Sequence, residues 1–178
     1  MKKLIVLLVV LFVTTSLGYS QLKEKDNLLG FSVGLNTGPS SPTIGVNFEN
    51  QITTLGDVAT LGLGAILRYT SWKDNNYHKD YYDYSFVTIG AQLNVNFNQI
   101  GTGKFVPFIG AVLGYNNVNS KYVNNNGVVY DATYSSGMWL WGQAGFRYFF
   151  SPSFAGGLRA GTGNYNFNSI ELALDFKL

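Results

Sequence analysis

The sequence predicts an all-β fold, an antiparallel up-and-down transmembrane β-barrel of about eight strands preceded by a cleaved signal peptide. Apolar and polar residues alternate along most of the chain after Gln21, and no segment there keeps a helical period. Gly, Asn, Ser and Pro interrupt the alternation at short intervals, as turns between strands do. Charged residues make up only 12% of the chain, about half of the roughly 25% that is usual in globular domains.

The N-terminus has the pattern of a secretory signal. Met1, Lys2 and Lys3 precede an apolar run over residues 4–13, and small residues follow at Gly18 and Ser20. A signal peptidase requires this order of basic, apolar and small residues, and a transmembrane helix would need a longer run of ~20 apolar residues. We therefore expect residues 1–20 to be a signal peptide and residues 21–178 to be the β-barrel domain.

Charge and cysteine content exclude several classes of function. Lys2 and Lys3 are two of the 12 basic residues, so removal of the signal leaves 10 basic and 10 acidic side chains. No basic patch for nucleic acid remains. The chain has no Cys, which excludes disulfides and thiol chemistry.

Four strands are predicted in the first half of the domain, after a short charged lead-in over residues 22–27 that we expect to be frayed. Because successive strand side chains face opposite sides of a sheet, alternation separates an apolar face from a polar one. The second strand, for example, sets Ile44 and Val46 against Gly45 and Asn47. The predicted strands are residues 29–36, 43–53, 59–72 (with Ile66 as an apolar exception on the polar face) and 85–97.

Four more strands are predicted in the second half, over residues 105–115, 138–150, 154–161 and 169–178. The first of these alternates weakly, and Gly110 and Gly114 indicate that their face is the crowded interior. The last strand is the clearest. Its Ile170, Leu172, Leu174, Phe176 and Leu178 face one way, and Ser169, Glu171, Ala173, Asp175 and Lys177 face the other.

The connections sort by length in the way that outer-membrane barrels require. Short turns at residues 55–57, 98–104 and 151–153 fall at one end. A polar, Tyr-rich loop at 73–84 and a long connection at 116–137 fall at the other. The long connection contains Asn126-Gly127 between β-branched and aromatic residues, which predicts a hairpin that projects beyond the barrel.

Aromatic residues concentrate near the strand ends, as in the belts that flank a membrane. We expect an outer belt of Tyr69, Trp72, Tyr81, Tyr82, Tyr84, Tyr115 and Trp139, and a periplasmic belt of Phe97, Phe105, Phe149, Phe150, Phe154 and Phe176.

The charged residues of the strands lie on the predicted inward faces, where they would form a polar network. The arginines Arg147 and Arg159 are candidates to pair with Glu171 or Asp175. An eight-stranded barrel leaves little more than room for side chains, so a plugged interior is favoured over a polar path. The predicted network consists of Glu49, Arg68, Arg147, Arg159, Glu171, Asp175 and Lys177.

Two segments carry a resemblance to a known family. Residues Pro107–Tyr115 and Gly142–Tyr148 combine glycine and aromatic residues in a pattern similar to that of small outer-membrane β-barrel proteins of the OmpA/OmpX kind. The resemblance covers essentially all of residues 21–178. It implies a monomeric eight-stranded barrel in a Gram-negative outer membrane, with a C-terminal strand that is recognised by the barrel-assembly machinery.

Enzymatic chemistry is poorly supported, although some small barrels of this type resemble lipid-modifying enzymes that use His with Ser and a carboxylate. The single histidine, His78, lies near Ser85, Asp80 and Asp83 in the Tyr-rich loop. A mobile loop is a poor scaffold for a triad, and no metal-ligand spacing is present. We expect no enzyme, no metal and no cofactor. The loop residues Tyr77, His78, Tyr81, Tyr82, Tyr122 and Tyr130 are instead candidates for contacts at the cell surface.

Three functions fit these patterns. The first is an integral outer-membrane barrel with a structural or surface-interaction role, in contact with lipid, lipopolysaccharide and a protein partner at the surface. The second is a narrow, porin-like channel for ions or small solutes. The third is a soluble secreted barrel that binds an apolar ligand, which would require the apolar faces to turn inward and Arg147, Arg159 and Glu171 to lie outside.

Overall fold

A computed structural model of the chain describes residues 22–37, 40–77, 80–98, 104–124, 126–132, 136–164 and 168–178. The predicted signal peptide and His78 lie outside these residues. No helix in the described segments is long and apolar enough to cross a membrane. The strands are β1 (Asn27–Asn36), β2 (Ser41–Leu55), β3 (Ala59–Tyr77), β4 (Asp80–Phe97), β5 (Phe105–Val123), β6 (Val129–Ala132), β7 (Gly137–Ser151), β8 (Phe154–Gly163) and β9 (Asn168–Lys177).

Eight of these strands form a closed antiparallel barrel. Each pairs with its neighbours in the order β1-β2-β3-β4-β5-β7-β8-β9, and β9 pairs back onto β1 from Leu28↔Lys177 to Asn36↔Ser169. The short strand β6 lies outside the ring and pairs with the far end of β5. The predicted all-β, antiparallel barrel of about eight strands is confirmed, and the signal peptide that would precede it stays a prediction.

The side chains sort by the parity that alternation predicts. Exposed apolar residues cover the outer wall, and they include Phe31, Val33, Leu35, Ile44, Ile89, Leu113, Leu140, Leu172 and Leu174. Buried polar and charged residues fill the interior. Arg147, Arg159 and Glu171 are at most 2% exposed. This arrangement contradicts the hypothesis of a soluble barrel with an apolar interior.

In the fifth strand, where alternation was weak, the face that carries Gly110 and Gly114 is the inward one. Val106, Phe108 and Val112 on that face are buried, whereas Ile109 and Leu113 are exposed. Glycine allows these inward positions to lie close to the neighbouring backbone.

Two apolar clusters lie inside the otherwise polar barrel. One comprises Leu22, Leu28, Val106, Phe149 and Ala155 at the end where the chain enters β1. The other comprises Ile66, Val112, Trp139 and Trp141, with the two indole rings stacked at 5.5 Å between centroids. The polar network described below shares the interior with these clusters.

The segment before β1 is ordered, so the expectation of a frayed lead-in was wrong. Leu22 is 2% exposed, and its carbonyl oxygen accepts a hydrogen bond of 2.8 Å from Nδ2 of Asn98. The amide of Lys25 donates to the carbonyl of Gln51 at 2.7 Å, and the amide of Gln51 donates to the carbonyl of Asp26 at 2.9 Å. The segment is therefore held against β2 and against the residue that follows β4.

The expected Tyr-rich loop at 73–84 is also wrong, because β3 and β4 continue through it as a hairpin to Tyr77 and Asp80. Cross-strand stacking explains the extension. The ring of Trp72 stacks on the rings of Tyr84 (5.0 Å) and Phe86 (4.8 Å), and such pairs stabilise neighbouring strands.

The predicted hairpin between the fifth and sixth barrel strands is present. The chain reverses between β5 and β6, where the side-chain oxygen of Asn124 accepts from the amides of Asn126 and Val128 at 3.0 and 2.9 Å. Gly127 adopts a φ of 76°, which favours glycine. The far ends of β3, β4 and β5 together with β6 form a four-stranded extension, which we call the projecting sheet (residues 72–77, 80–85, 119–123 and 129–132).

The aromatic belts are partly as expected. At the end of the barrel that carries the short turns, the rings of Phe176, Phe154 and Phe150 follow one another on the outer wall at 5.2 and 5.8 Å. Phe149 and Trp139, which were assigned to the belts, are instead 1% exposed and belong to the interior clusters. Strand parity decides this, since both residues fall on inward positions.

Tight packing between neighbouring strands predicts an asymmetry between two glycines. A Cβ on Gly64, which faces inward, would collide with the backbone carbonyl oxygen of Phe48, whereas a Cβ on Gly142 would meet only the carbonyl oxygen of Thr162 at 3.9 Å. We expect Gly64→Ala to lower the free energy of unfolding by about 1–3 kcal/mol through overpacking. Gly142→Ala should change it by less than about 0.5 kcal/mol. Urea titrations in detergent micelles, with the folded fraction read from a heat-dependent gel shift, measure the free energy of unfolding of both variants. Equal effects would contradict the difference in packing at the two glycines.

Candidate functional site

The centre of the interior network is Arg147 on β7. Its Nη2 lies 2.7 Å from Oε2 of Glu49, and its Nε lies 3.0 Å from Oδ2 of Asp175. Nη1 donates to Oδ1 of Asn96 at 2.5 Å. The guanidinium also lies over the ring of Phe108, 4.5 Å from its centroid. Arg147 thus joins strands on opposite sides of the barrel.

Glu49 on β2 is held from several directions. Its Oε2 also accepts from Nδ2 of Asn94 at 2.7 Å, and its Oε1 accepts from Nε2 of Gln51 and Nδ2 of Asn96 at 2.8 and 2.7 Å. A buried charge is tolerated when it is both paired and hydrogen-bonded. The surrounding amides therefore complete an ion pair that burial alone would penalise.

A second pair lies between β3 and β9. Nε of Arg68 is 3.1 Å from the carboxylate of Glu171, and Ser169 donates to the same carboxylate at 3.1 Å. Nη1 of Arg68 donates to the carbonyl oxygens of Val46 and Leu67, both at 3.2 Å. This pair links two strands that are not neighbours in the barrel.

The predicted partners of the arginines are correct in one case only. Arg147 contacts Asp175 as proposed, but Arg159 makes no ion pair among the described residues and donates instead to Oδ1 of Asn47 at 3.2 Å. Lys177 lies at the barrel rim, where its Nζ is 2.5 Å from Asp26 and both side chains are about one-fifth exposed. It is therefore peripheral to the network in which it was included.

Sequence reasoning missed the amides that complete the network. Gln51, Asn94, Asn96 and Asn47 are at most 1% exposed, and each bonds to a charged residue. Their inward positions were readable from alternation, but their partners depend on side chains that reach across the barrel.

The projecting sheet has two different faces. Direct cross-strand pairs place Lys73, Asp83, Lys121 and Asp131 in one row across the four strands, so that charges of opposite sign alternate. The opposite face carries Tyr82, Tyr122 and Tyr130, whose ring centroids follow one another at 5.1 and 6.0 Å. Residues directly opposite each other share a face, so both rows stabilise the sheet.

The candidate surface residues are distributed over this sheet. Tyr82, Tyr122 and Tyr130 share its aromatic face, and Tyr81 lies on the charged face with Nζ of Lys73 5.0 Å from its ring centroid. Tyr77 ends β3. His78 lies outside the described residues. Within the part of the chain that is described, no group of three or more acidic or His side chains is placed to hold a metal ion.

Comparison with known proteins gives a fold and no sequence family. No family model matches the chain, and no curated protein sequence matches it. A de novo designed transmembrane β-barrel superimposes with a TM-score of 0.53 at 16% identity, over 89% of this chain and 99% of that one. The attachment invasion locus protein Ail of Yersinia pestis gives a TM-score of 0.54 at 11% identity, over 87% and 98%.

The N-terminal β-barrel domain of Pseudomonas aeruginosa OprF is also similar, with a TM-score of 0.50 at 14% identity over 87% of this chain and 98% of that domain. At these identities the similarity concerns the fold. An apolar outer wall around a closed, polar interior is the arrangement of outer-membrane barrels. The chain is therefore an eight-stranded transmembrane β-barrel of the outer membrane, with the fold expected from its resemblance to OmpA/OmpX-like proteins.

Arg147 provides a test of the interior network. Arg147→Ala would leave Glu49 and Asp175 buried without their cation, and we expect it to lower the free energy of unfolding by about 3–5 kcal/mol. Lys177→Ala is the matched control, because its ion pair is partly exposed and should contribute less than about 1 kcal/mol. Urea unfolding in micelles compares the two variants. A loss for Arg147→Ala no larger than for the control would contradict a central role for this residue.

Proposed function

We propose that this barrel is a membrane anchor with a plugged interior, and that its projecting sheet is a surface-interaction element. The observation that carries the proposal is the Arg147–Glu49–Asp175 network, which occupies the centre of a barrel that also holds two apolar clusters. A role of this kind requires no catalytic group.

Interior packing supports the plug. The space beside Phe108, Arg147 and Arg159 amounts to about 140 Å³ of empty volume, and none of it can hold a water-sized sphere. At the end where the chain enters β1, Leu22 packs in the interior with Leu28, Val106, Phe149 and Ala155. A conducting path would need a continuous column of water, and the interior at the level of Arg147 has no room for one.

The projecting sheet supports the interaction role. It extends only from the part of the barrel that contains β3, β4 and β5. At the same end of the barrel, β1 and β2 are joined by a short connection, and so are β8 and β9. Stacked rings on one face and alternating charges on the other stiffen it. A rigid element loses less conformational entropy on binding than a mobile loop does.

Partners in the membrane follow from position. The outer wall would contact lipid, and the outer rim with Tyr69 and Tyr115, both nearly half exposed, would contact lipopolysaccharide. In β9, Leu174 and Phe176 lie on the lipid face and alternate with residues that face inward. We propose that this strand is recognised by the barrel-assembly machinery and that the barrel works as a monomer.

Planar bilayer recordings test the plug. We expect the purified, refolded protein to give no stable conductance steps at either polarity, because side chains fill the interior. A general porin inserted into the same bilayer is the positive control. Reproducible ohmic steps that scale with protein concentration would sink the plug and favour the narrow channel.

Cysteine labelling tests the orientation. The chain has no Cys, so Val129→Cys in the projecting sheet and Asp57→Cys in a short turn each provide a single thiol at an exposed position. A membrane-impermeant maleimide should label Val129→Cys on intact cells, and should label Asp57→Cys only after the outer membrane is permeabilised. The reverse pattern would place the projecting sheet in the periplasm and overturn the proposed interaction role.

A further inference from the structure

The outer edge of β6 is an open strand edge. Within the described residues β6 pairs with β5 alone, and Val128, Val129 and Tyr130 are about half exposed. In an antiparallel strand, alternate residues direct their N–H and C=O groups to one side, so half of these groups in β6 point away from β5. Such an edge can accept a further strand.

The two rows on the projecting sheet end at this edge and specify what would fit it. The charged row reads Lys73, Asp83, Lys121, Asp131, and its last member is acidic. The next strand would continue the alternation with a basic side chain. The aromatic row ends at Tyr130, whose neighbour Tyr122 lies 6.0 Å away between ring centroids. An aromatic side chain would continue that row.

The strand that already pairs with β6 shows that this combination fits. β5 places Lys121 opposite Asp131, Tyr122 opposite Tyr130 and Val123 opposite Val129. Both neighbours of a strand meet the same side chains on the same faces. An incoming antiparallel strand therefore needs the same order of chemistry, basic then aromatic then β-branched.

We propose that the free edge of β6 binds an extended peptide segment of a partner protein by antiparallel strand addition, and that Asp131, Tyr130 and Val129 select a basic–aromatic–β-branched sequence. The inference rests on the proposed interaction role of the projecting sheet and names the partner's chemistry. Asp131 also has a second effect, because a charge on an edge strand opposes indiscriminate pairing. The same carboxylate thus makes the open edge selective.

A second copy of this chain fits the edge less well. The other free edge of the projecting sheet belongs to β3, which would bring Lys73 to Asp131 but Asp74 to Tyr130. The first pair is favourable, and the second repeats the pairing of Asp74 with Tyr82 that the sheet already contains. A second copy would therefore supply the basic residue but no aromatic side chain to continue the row that ends at Tyr130, so a strand that supplies both fits the edge better.

The test uses a peptide with the sequence of residues 117–123, which contains Lys121, Tyr122 and Val123. It is titrated to millimolar concentration into the ¹⁵N-labelled, refolded protein in detergent micelles, and amide shifts are followed by two-dimensional NMR. We expect saturable shifts centred on residues 128–132. A peptide with Glu in place of Lys121 should bind at least about threefold more weakly, within the range of one cross-strand charge pair. A peptide with N-methylated backbone amides should not bind.

The protein variant Asp131→Lys should reverse the preference between the Lys and Glu peptides, while Asp57→Lys, at the other end of the barrel, should leave it unchanged. A heat-dependent gel shift checks that both variants fold.

Equal binding of the Lys and Glu peptides, retained binding of the N-methylated peptide, or shifts centred on residues 71–77 would overturn the proposal. Line broadening of β6 that grows with protein concentration alone would assign the edge to a second copy instead. Labelling of Val129→Cys on intact cells is independent of all these results, so failure of the peptide does not entail failure of the interaction role.

Discussion

The pairing of β9 with β1 is the contact on which the structure depends. Backbone N–H and C=O groups have no water partners in hydrocarbon, so a sheet can span a membrane only when its edges meet. Closure after eight strands then sets a narrow interior. Interior glycines follow from that width, since a Cβ on Gly64 or Gly34 would reach the backbone of the adjacent strand. The polar interior follows as well, because the outer wall takes the apolar half of each alternating strand.

Charges inside such a barrel must satisfy one another. Arg68, Arg147 and Arg159 are matched in number by Glu49, Glu171 and Asp175, and all six are at most 2% exposed. The distribution is uneven, since Arg147 contacts two carboxylates and Arg159 relies on the amide of Asn47. Replacing a buried ion pair by well-packed apolar residues of similar volume is often neutral for stability. Here the long arginine side chains connect strands that do not pair, which fixes the cross-section of the barrel.

Alternation predicted which residues face lipid and which face the interior in every strand except β5, where the glycines were needed, because that property depends on parity and not on partners. Partners required the register and the barrel width. Arg147 reaches Glu49 across the barrel, from β7 to β2, and nothing in the local sequence indicates that distance.

The same limit explains the mistaken loop at 73–84. Its polar residues resemble a loop, but Trp72 and Tyr84 stack across the strands only once β3 and β4 are in register. Leu22 was assigned to a frayed segment because the residues that it packs against lie on four different strands, which are brought together only by the fold.

The meeting of β1 and β9 also constrains the order of assembly. These two strands lie at opposite ends of the described chain, so the contact that completes the sheet joins its most distant residues. Pairings of this kind form late and slowly, because the loop that they close is long. Until then every partial sheet keeps two unpaired edges, each liable to pair with another chain. A chaperone that shields strand edges before insertion would act before β1 and β9 pair. So would a catalyst that keeps the edge of β1 open until β9 reaches it. Closure also brings Asp26 and Lys177 together at the rim beside this seam, at 2.5 Å, so their ion pair reports that the two ends of the chain have met.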